Sequence, residues 1–174
     1  VNYLVHHEYI IMKGLTELAS FCPHFCRILG VEEVEMDAKF KKDSDNPFEI
    51  QTKYPVRKDV MLCEYISESN KFYNMIRGKH ACDNVIYSCV KQVLMATAIA
   101  QNQKKFTHYD MHSLNIMVKQ CDPNIVFLYV LDNDNQFLVP THGNYPVIID
   151  YGFSYIGDMD NAPLWTSLAH TDVG

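Results

Sequence analysis

The stretches FTHYDMHSLNIMV, residues 106–118, and VIIDYG, residues 147–152, decide how the rest of the chain is interpreted. In the first stretch, Asp110 stands five residues before Asn115, and an apolar run follows Asn115 directly. In the second stretch, Asp150 comes directly after an apolar run. A lone Asp or Asn in a loop usually forms a turn or a cap. Three features indicate that Asp110, Asn115 and Asp150 belong to one site: their spacing, the apolar runs beside them and the long helix predicted before them.

This set of three residues is suited to moving a phosphoryl group from a nucleotide held by Mg²⁺. Mg²⁺ prefers hard oxygen ligands and keeps several of its waters. Asp150, at the end of a buried strand, can hold Mg²⁺ between the phosphates, and Asn115 can offer a neutral oxygen to a second ion. Asp110 can accept or orient the proton of an attacking hydroxyl group. We therefore predict three catalytic residues, two of them metal ligands.

Composition narrows the class of protein. The 174 residues suit one domain, and a formal net charge of −6 argues against broad nucleic-acid binding, although a local basic patch remains possible. No apolar run approaches the ~20 residues of a membrane span, and no leader is visible.

Six cysteines without a framework spacing predict reduced, buried thiols in an intracellular protein of the cytoplasm or nucleus. The pair Cys22 and Cys26 lacks a second ligand pair, which favours buried thiols over a metal site.

The first 66 residues are predicted to form a helix and two strands. A helix over 3–19 places four apolar side chains on one face with Glu8 in its middle: Leu4, Ile11, Leu15 and Leu18. Strands follow at 25–31 and 60–66, and the continuous apolar start of the second predicts burial on both of its faces. A solvated loop is expected at 37–47. A carboxylate on a buried stripe is costly unless a cation meets it. Glu8 therefore either reaches water at the edge of the stripe or waits for a Lys from elsewhere in the protein.

The second part of the chain is predicted to be richer in helix. A short helix at 70–77 ends at Gly78, and a long helix covers 84–103 after a cap at Asp83. Its expected core face is Ile86, Val90, Val93, Thr97 and Ala100. Strands are predicted at 116–119 and 146–149, on either side of a hairpin formed by 125–131 and 136–139.

With these motifs in place, the chain resembles part of a protein kinase domain, from the αC helix into the activation segment. Residues 108–115 match the catalytic loop and 150–152 the metal-binding turn. The His two residues after Asp110, and the long excursion between the two Asp, resemble haspin-like atypical kinases and kinase-like proteins of large DNA viruses. The resemblance implies an α+β, protein kinase-like fold in one incomplete domain, with part of the small lobe and the hinge in 1–66 and the upper large lobe in 67–174.

The same resemblance assigns further residues. Glu8 matches the αC Glu that pairs with the phosphate-binding Lys, and His112 stands where Ser/Thr kinases usually carry a Lys. Four residues match the surroundings of the adenine, as gatekeeper, hinge and apolar floor: Cys63, Glu64, Ile66 and Met117. Four match the apolar column that ties the two lobes: Met12, Ile28, His108 and Tyr151. For these residues, simple core packing is the alternative.

The implied function is ATP- and Mg²⁺-dependent phosphoryl transfer to Ser/Thr hydroxyls of an unidentified protein substrate. Tyr109 replaces the usual Arg of the catalytic loop, so control by an activation-loop phosphate is not expected. No Gly-rich loop or β3 Lys is found, and the chain starts at Val1, so we expect a fragment that is inactive alone. Two alternatives remain: a small-molecule phosphotransferase of the aminoglycoside or choline kinase type, and a pseudokinase that acts as a binding module.

Overall fold

The structure is a computed structural model that describes residues 3–38, 49–50, 52–78 and 82–161. It confirms the α+β class: helices and small, mostly antiparallel sheets share one apolar core. The helices are α1 (Tyr3–Thr16), α2 (Phe72–Arg77) and α3 (Asp83–Lys104). The strands are β1 (Ile28–Ala38), β2 (Glu49–Ile50), β3 (Val56–Cys63), β4 (Ser69–Lys71), β5 (Ile116–Gln120), β6 (Val126–Val130), β7 (Gln136–Pro140) and β8 (Asn144–Ile148).

Helix α1 confirms the predicted first helix but ends three residues earlier than expected. Thr16 explains the end: its Oγ1 donates to the Met12 carbonyl (2.7 Å) and accepts the N–H of Ile28 (3.1 Å), which ties the helix to the start of β1. The predicted apolar stripe is wrong at Leu4, which is 71% exposed. The other three members of the predicted stripe, Ile11, Leu15 and Leu18, are confirmed as buried.

Strands β1 and β3 form an antiparallel hairpin in a three-stranded sheet of order β2-β1-β3. The predicted strand at 25–31 begins only at Ile28, since Phe25 makes an isolated bridge to Ile148. The strand predicted at 60–66 is observed at Val56–Cys63, and its expected burial on both faces is wrong, because every residue of the strand is at least partly exposed. Of the predicted loop at 37–47, residues 37 and 38 belong to β1 and the rest lies outside the described residues.

Helix α3 confirms the long helix within one residue at each end, and it confirms the predicted face at Val93 and Ala100, which are buried, but not at Val90. Val90 is 40% exposed, whereas Ser88 and Gln92 are buried. Ser88 Oγ donates to the Pro140 carbonyl (2.5 Å), and Gln92 Nε2 donates to that of Asn144 (3.1 Å). The pattern of apolar residues could not predict this part of the core face, because its buried side chains are polar and form hydrogen bonds with strands β7 and β8. The cap is also displaced by one residue, because Asp83 is already helical and the capping position is Cys82.

The second sheet positions the predicted site. Strands β4, β5 and β8 pair antiparallel in the order β4-β5-β8, and β6 with β7 forms the predicted hairpin. Asn115 directly precedes β5, and Asp150 follows the end of β8 by two residues. Because β5 and β8 are neighbours, the two side chains are carried to the same end of this sheet. The chain passes from the first sheet to the second between residues 63 and 69.

The cysteines only partly match the expectation of buried thiols. All six are free; Cys22, Cys26 and Cys89 are buried, whereas Cys63 and Cys82 are exposed. Burial raises the pKa of Cys22 to about 11 and those of Cys26 and Cys89 to about 12, so these thiols stay protonated near neutral pH. Within the described part of the chain, no helix is both long enough and apolar enough to cross a membrane.

Candidate functional site

The loop after α3 holds Asp110 on a constrained backbone. Lys105 ends α3 with φ +52°, and Thr107 pairs with Tyr155 through two backbone hydrogen bonds of 3.0 and 2.8 Å. Tyr109 then adopts φ +63°, a left-handed conformation that is unfavourable for a residue with a side chain. Such backbone strain costs about 1–3 kcal/mol and concentrates at functional sites. The residue before Asp110 is therefore held in place by its surroundings.

Asn115 fixes Asp110 from the other side of the loop. Its buried side-chain Nδ2 donates to the Asp110 carbonyl (3.2 Å) and lies 3.3 Å from Asp110 Oδ2. Within the described residues, nothing donates a hydrogen bond to Asn115 Oδ1. The amide nitrogen thus positions Asp110, while the amide oxygen stays available as a ligand. His112 Nε2 lies 3.6 Å from Asp110 Oδ2, and both side chains are exposed to solvent.

His108 connects this loop to the strand that leads to Asp150. Its Nδ1 accepts the N–H of Asp110 (3.3 Å), and its Nε2 lies 3.2 Å from the Ile149 carbonyl. This pattern selects the neutral tautomer with the proton on Nε2. Burial lowers the pKa of His108, which also favours the neutral ring. His108 is a positioning residue, because both of its ring nitrogens are occupied by the backbone around the two Asp.

Asp150 and Glu8 are brought together at the end of β8. Asp150 has φ +65°, and the next residue, Tyr151, donates its N–H to Glu8 Oε1 (3.1 Å). Burial raises the pKa of Glu8, and the charge of Asp150 raises it further, against the opposing effect of the Tyr151 N–H. Among the described residues, no Lys or Arg forms an ion pair with Glu8 or Asp150. Two carboxylates therefore meet at a place without a described cation.

The donor set fits Mg²⁺ only if the metal also binds another molecule. No group of three His, Cys, Asp or Glu in the described ranges is placed to hold a metal ion. Mg²⁺, however, is commonly bound through one or two carboxylates together with substrate phosphates. Near the 108–115 loop, the open amide Oδ1 of Asn115 and the carboxylate of Asp150 are two oxygen ligands that could share such a metal with a phosphate. Because Ile149 N–H donates to the Asn115 carbonyl (3.0 Å), the backbones that carry them are directly joined.

The residues predicted to surround the adenine lie in and beside the 63–66 segment. The Glu64 carbonyl has only a long contact with Cys26 Sγ (4.0 Å), and the Ile66 N–H has no acceptor among the described residues. Cys63 is exposed, with its Sγ 4.0 Å from Met12 Sδ. Met117 is half-buried on β5, between Lys71 and Val147 of the neighbouring strands. Two backbone groups of the segment thus remain free to bind a ligand.

All four residues of the predicted apolar column are buried, but a direct contact between members is given only for His108 and Tyr151. Met12, Ile28, His108 and Tyr151 are at most 9% exposed. The rings of His108 and Tyr151 lie 5.7 Å apart, and the Tyr151 hydroxyl accepts the N–H of Cys26 (3.2 Å). Burial is what ordinary core packing also predicts, so the role of this column stays a prediction.

Three residues that the sequence did not single out support the site. Ser154 is buried, and its Oγ donates to the His108 carbonyl (3.0 Å). Lys71 Nζ donates to the Leu114 carbonyl (3.1 Å), next to Asn115. Arg27 holds the Glu64 carboxylate through its backbone N–H and its guanidinium, at 2.8–3.0 Å. Each contact spans more than 35 residues of sequence, so no local pattern could have identified it.

Comparison with known proteins identifies viral relatives. Uncharacterized protein 038R of Invertebrate iridescent virus 3 is 32% identical over 186 aligned residues, which cover the whole chain and 32% of that protein. Uncharacterized protein 098R of Invertebrate iridescent virus 6 is 30% identical over 206 residues, which cover 99% of the chain and 34% of that protein. The chain thus spans about a third of the length of these relatives. No protein-family model matches it.

Proposed function

We propose that this chain contributes the lower half of a phosphotransfer site, in which ATP and Mg²⁺ serve transfer to a Ser/Thr hydroxyl of a protein substrate. The observation that carries this proposal is the double use of Asn115. Its Nδ2 holds Asp110 at 3.2–3.3 Å while its Oδ1 remains open, and its backbone is bonded to the strand that ends at Asp150.

The proposed roles follow from this geometry. Asp110 is exposed and sits where an entering hydroxyl can reach it. It accepts the proton as the hydroxyl oxygen bonds to the γ-phosphorus and the bond from that phosphorus to the β,γ-bridging oxygen breaks. Asn115 and Asp150 would hold the metal, which would supply charge neutralisation at the phosphates. His112, whose Nε2 lies 3.6 Å from Asp110 Oδ2, would donate to the transferred phosphate.

The burial of Glu8 beside Asp150 also supports this proposal. A half-buried carboxylate next to a second carboxylate is unfavourable unless a cation joins them. A Lys in a longer form of the protein would satisfy both carboxylates and would also reach the phosphates. This agrees with the resemblance of Glu8 to the αC Glu of kinases.

We further propose that the fold is protein kinase-like and belongs to the haspin-like or viral branch. The relatives named above are viral proteins, which favours the viral alternative, with activity inside the host cell or in the virion. The carbonyl of Glu64 and the N–H of Ile66 would then meet the adenine edge, with Cys63 behind it and Met117 beneath it.

The test is transfer of labelled γ-phosphate from ATP by the full-length protein, offered Ser/Thr peptides in one arm and small alcohols or amines in the other. We expect label on peptides, only with Mg²⁺ present. Asp110→Asn and Asp150→Asn are each expected to lower the rate by about 10²–10⁴-fold, because a positioned base or a metal ligand is lost.

Asp134→Asn is the matched control, since this Asp lies in the exposed turn of the β6–β7 hairpin and should leave the rate unchanged. Label only on small acceptors would move the function to the small-molecule phosphotransferases. Full activity in the Asp110 or Asp150 variant would refute the site. No transfer by a folded wild-type protein that still binds ATP would leave the pseudokinase as the correct interpretation.

A further inference from the structure

A second concave site lies beside the 63–66 segment, and the catalytic and metal-binding roles proposed above do not use it. It is a pocket of about 230 Å³, which we call the Arg27–Lys119 pocket. Its described walls include Phe25, Arg27, Glu64, Tyr65, Lys119 and Tyr145. It shares Glu64 and Ile66 with the proposed adenine contacts, but Asp110, Asn115, Met117 and Asp150 are not among its described walls.

The pocket carries one more positive than negative charge. Arg27 and Glu64 neutralise each other in a close ion pair (2.8 Å). Lys119 is half-buried, and no described residue gives it an anionic partner. A half-buried cation without an ion-pair partner is favourable to an anionic ligand, which adds the missing charge. This contrasts with the chain as a whole, whose formal net charge is −6.

The size and the walls of the pocket limit what the anionic ligand can be. Small-molecule sites usually have volumes of roughly 300–1,000 Å³, so this pocket suits a single side chain better than a whole cofactor. Three of its wall residues are aromatic, Phe25, Tyr65 and Tyr145, and aromatic rings pack favourably edge-to-face or offset against one another. Tyr65 is 90% exposed at the edge, which gives an extended ligand a surface to cross.

We propose that the Arg27–Lys119 pocket docks a peptide segment of a partner protein that places an aromatic side chain among these rings and a neighbouring carboxylate on Lys119. This assignment is independent of phosphoryl transfer, because it uses neither Asp110 nor the metal ligands. The pocket nevertheless touches the site: β8 carries Tyr145 and Val147 into its wall and leads on to Asp150. A docked segment would hold its protein next to the catalytic loop.

The test is a titration of the ¹⁵N-labelled chain with the peptide acetyl-Glu-Phe-Glu-amide, followed by amide chemical shifts. We expect saturable shifts at Phe25, Tyr65, Lys119 and Tyr145 in the absence of ATP and Mg²⁺. Lys119→Glu should weaken binding about tenfold, because the attraction to the carboxylates becomes repulsion. The charge-matched control is Lys58→Glu, an exposed position on β3, which should bind as the wild type does.

A second variant, at a different wall residue, keeps the test valid if Lys119→Glu misfolds. Ala19→Phe fills the pocket from its partly exposed wall and should abolish the shifts without altering the charge. Equal binding of acetyl-Lys-Phe-Lys-amide, shifts centred on Met117 or Asn115, or no saturable shift would overturn the proposal. Equally tight binding of N-acetylphenylalanine would assign the pocket to a small carboxylate and would likewise overturn docking of a peptide.

Discussion

Acidification should destabilise the fold through His24, a residue at the exit of α1 that is completely buried. Its Nδ1 lies 2.8 Å from the Pro146 carbonyl and its Nε2 lies 2.7 Å from the Tyr129 hydroxyl. The neutral ring satisfies both contacts by donating from Nδ1 and accepting at Nε2. A second proton would place a charge in the core and remove the acceptor for Tyr129. Burial accordingly lowers the pKa of His24 to about 4.

The magnitude follows from the difference between the folded and unfolded states. In the unfolded chain the pKa of His24 returns to about 6.5, so the difference is 6.5 − 4 = 2.5. Between these two values the unfolded state binds the proton and the folded state does not, so stability falls as the pH falls. The contribution is fully present above about pH 6.5 and is lost by about pH 4, a loss of about 3 kcal/mol. His7 and His108, whose pKa values burial also lowers, add to it in the same direction.

Urea unfolding from pH 4 to pH 7.5 measures this effect. His24→Gln keeps one donor and one acceptor but does not titrate, so its free energy of unfolding should depend less on pH than that of the wild type. His6→Gln, at an exposed position of α1, is the control and should retain the wild-type slope. Tyr129→Phe removes only the hydroxyl and should cost about 1 kcal/mol at pH 7.5. An unchanged pH slope in folded His24→Gln would refute the reasoning.

Two further predictions concern the packing that supports the site, and both are measured as free energies of unfolding in urea. Gly14→Ala should destabilise by about 1–3 kcal/mol, because the new methyl group would overlap Ile156 and this outweighs the better helix propensity of Ala; a stabilised variant would contradict it. Tyr151→Phe should cost about 1–3 kcal/mol, because the hydroxyl donates to the Ile148 carbonyl (2.5 Å) and accepts the N–H of Cys26 (3.2 Å); an unchanged free energy would show that these contacts are absent.

The sequence predicted those features of the fold that depend on local pattern. The long helix α3, the β6–β7 hairpin and the strands before and after it were found nearly in full, because each has a strong periodicity or a turn signal. The core face of α3 was predicted at Val93 and Ala100 but not at Ser88 and Gln92, which are buried by contacts with strands about 50 residues away. The same limit applies to the strand that was expected to start at Phe25.

The predicted site shows the same division. Asp110, Asn115 and Asp150 were predicted from their spacing; the structure has Asp110 and Asn115 in one loop, and Asn115 and Asp150 beside the adjoining ends of strands β5 and β8. The predicted burial of Glu8 is partial, and its contact with the Tyr151 N–H was not foreseen. Ser154 and the Arg27–Glu64 pair escaped prediction because their chemistry arises from approach in space rather than from sequence.

The central claim is that Asn115 and Asp150 together hold a nucleotide-bound divalent metal. Mn²⁺ substitutes for Mg²⁺ and broadens the NMR signals of nearby amides, so titration of the ¹⁵N-labelled chain with Mn²⁺ and ATP locates the metal directly. We predict that the amides of residues 115 and 150–152 broaden first, that those of the β6–β7 hairpin remain sharp, and that Asp150→Asn removes the effect. Broadening centred elsewhere, broadening that survives in Asp150→Asn, or none with saturating ATP would contradict the claim.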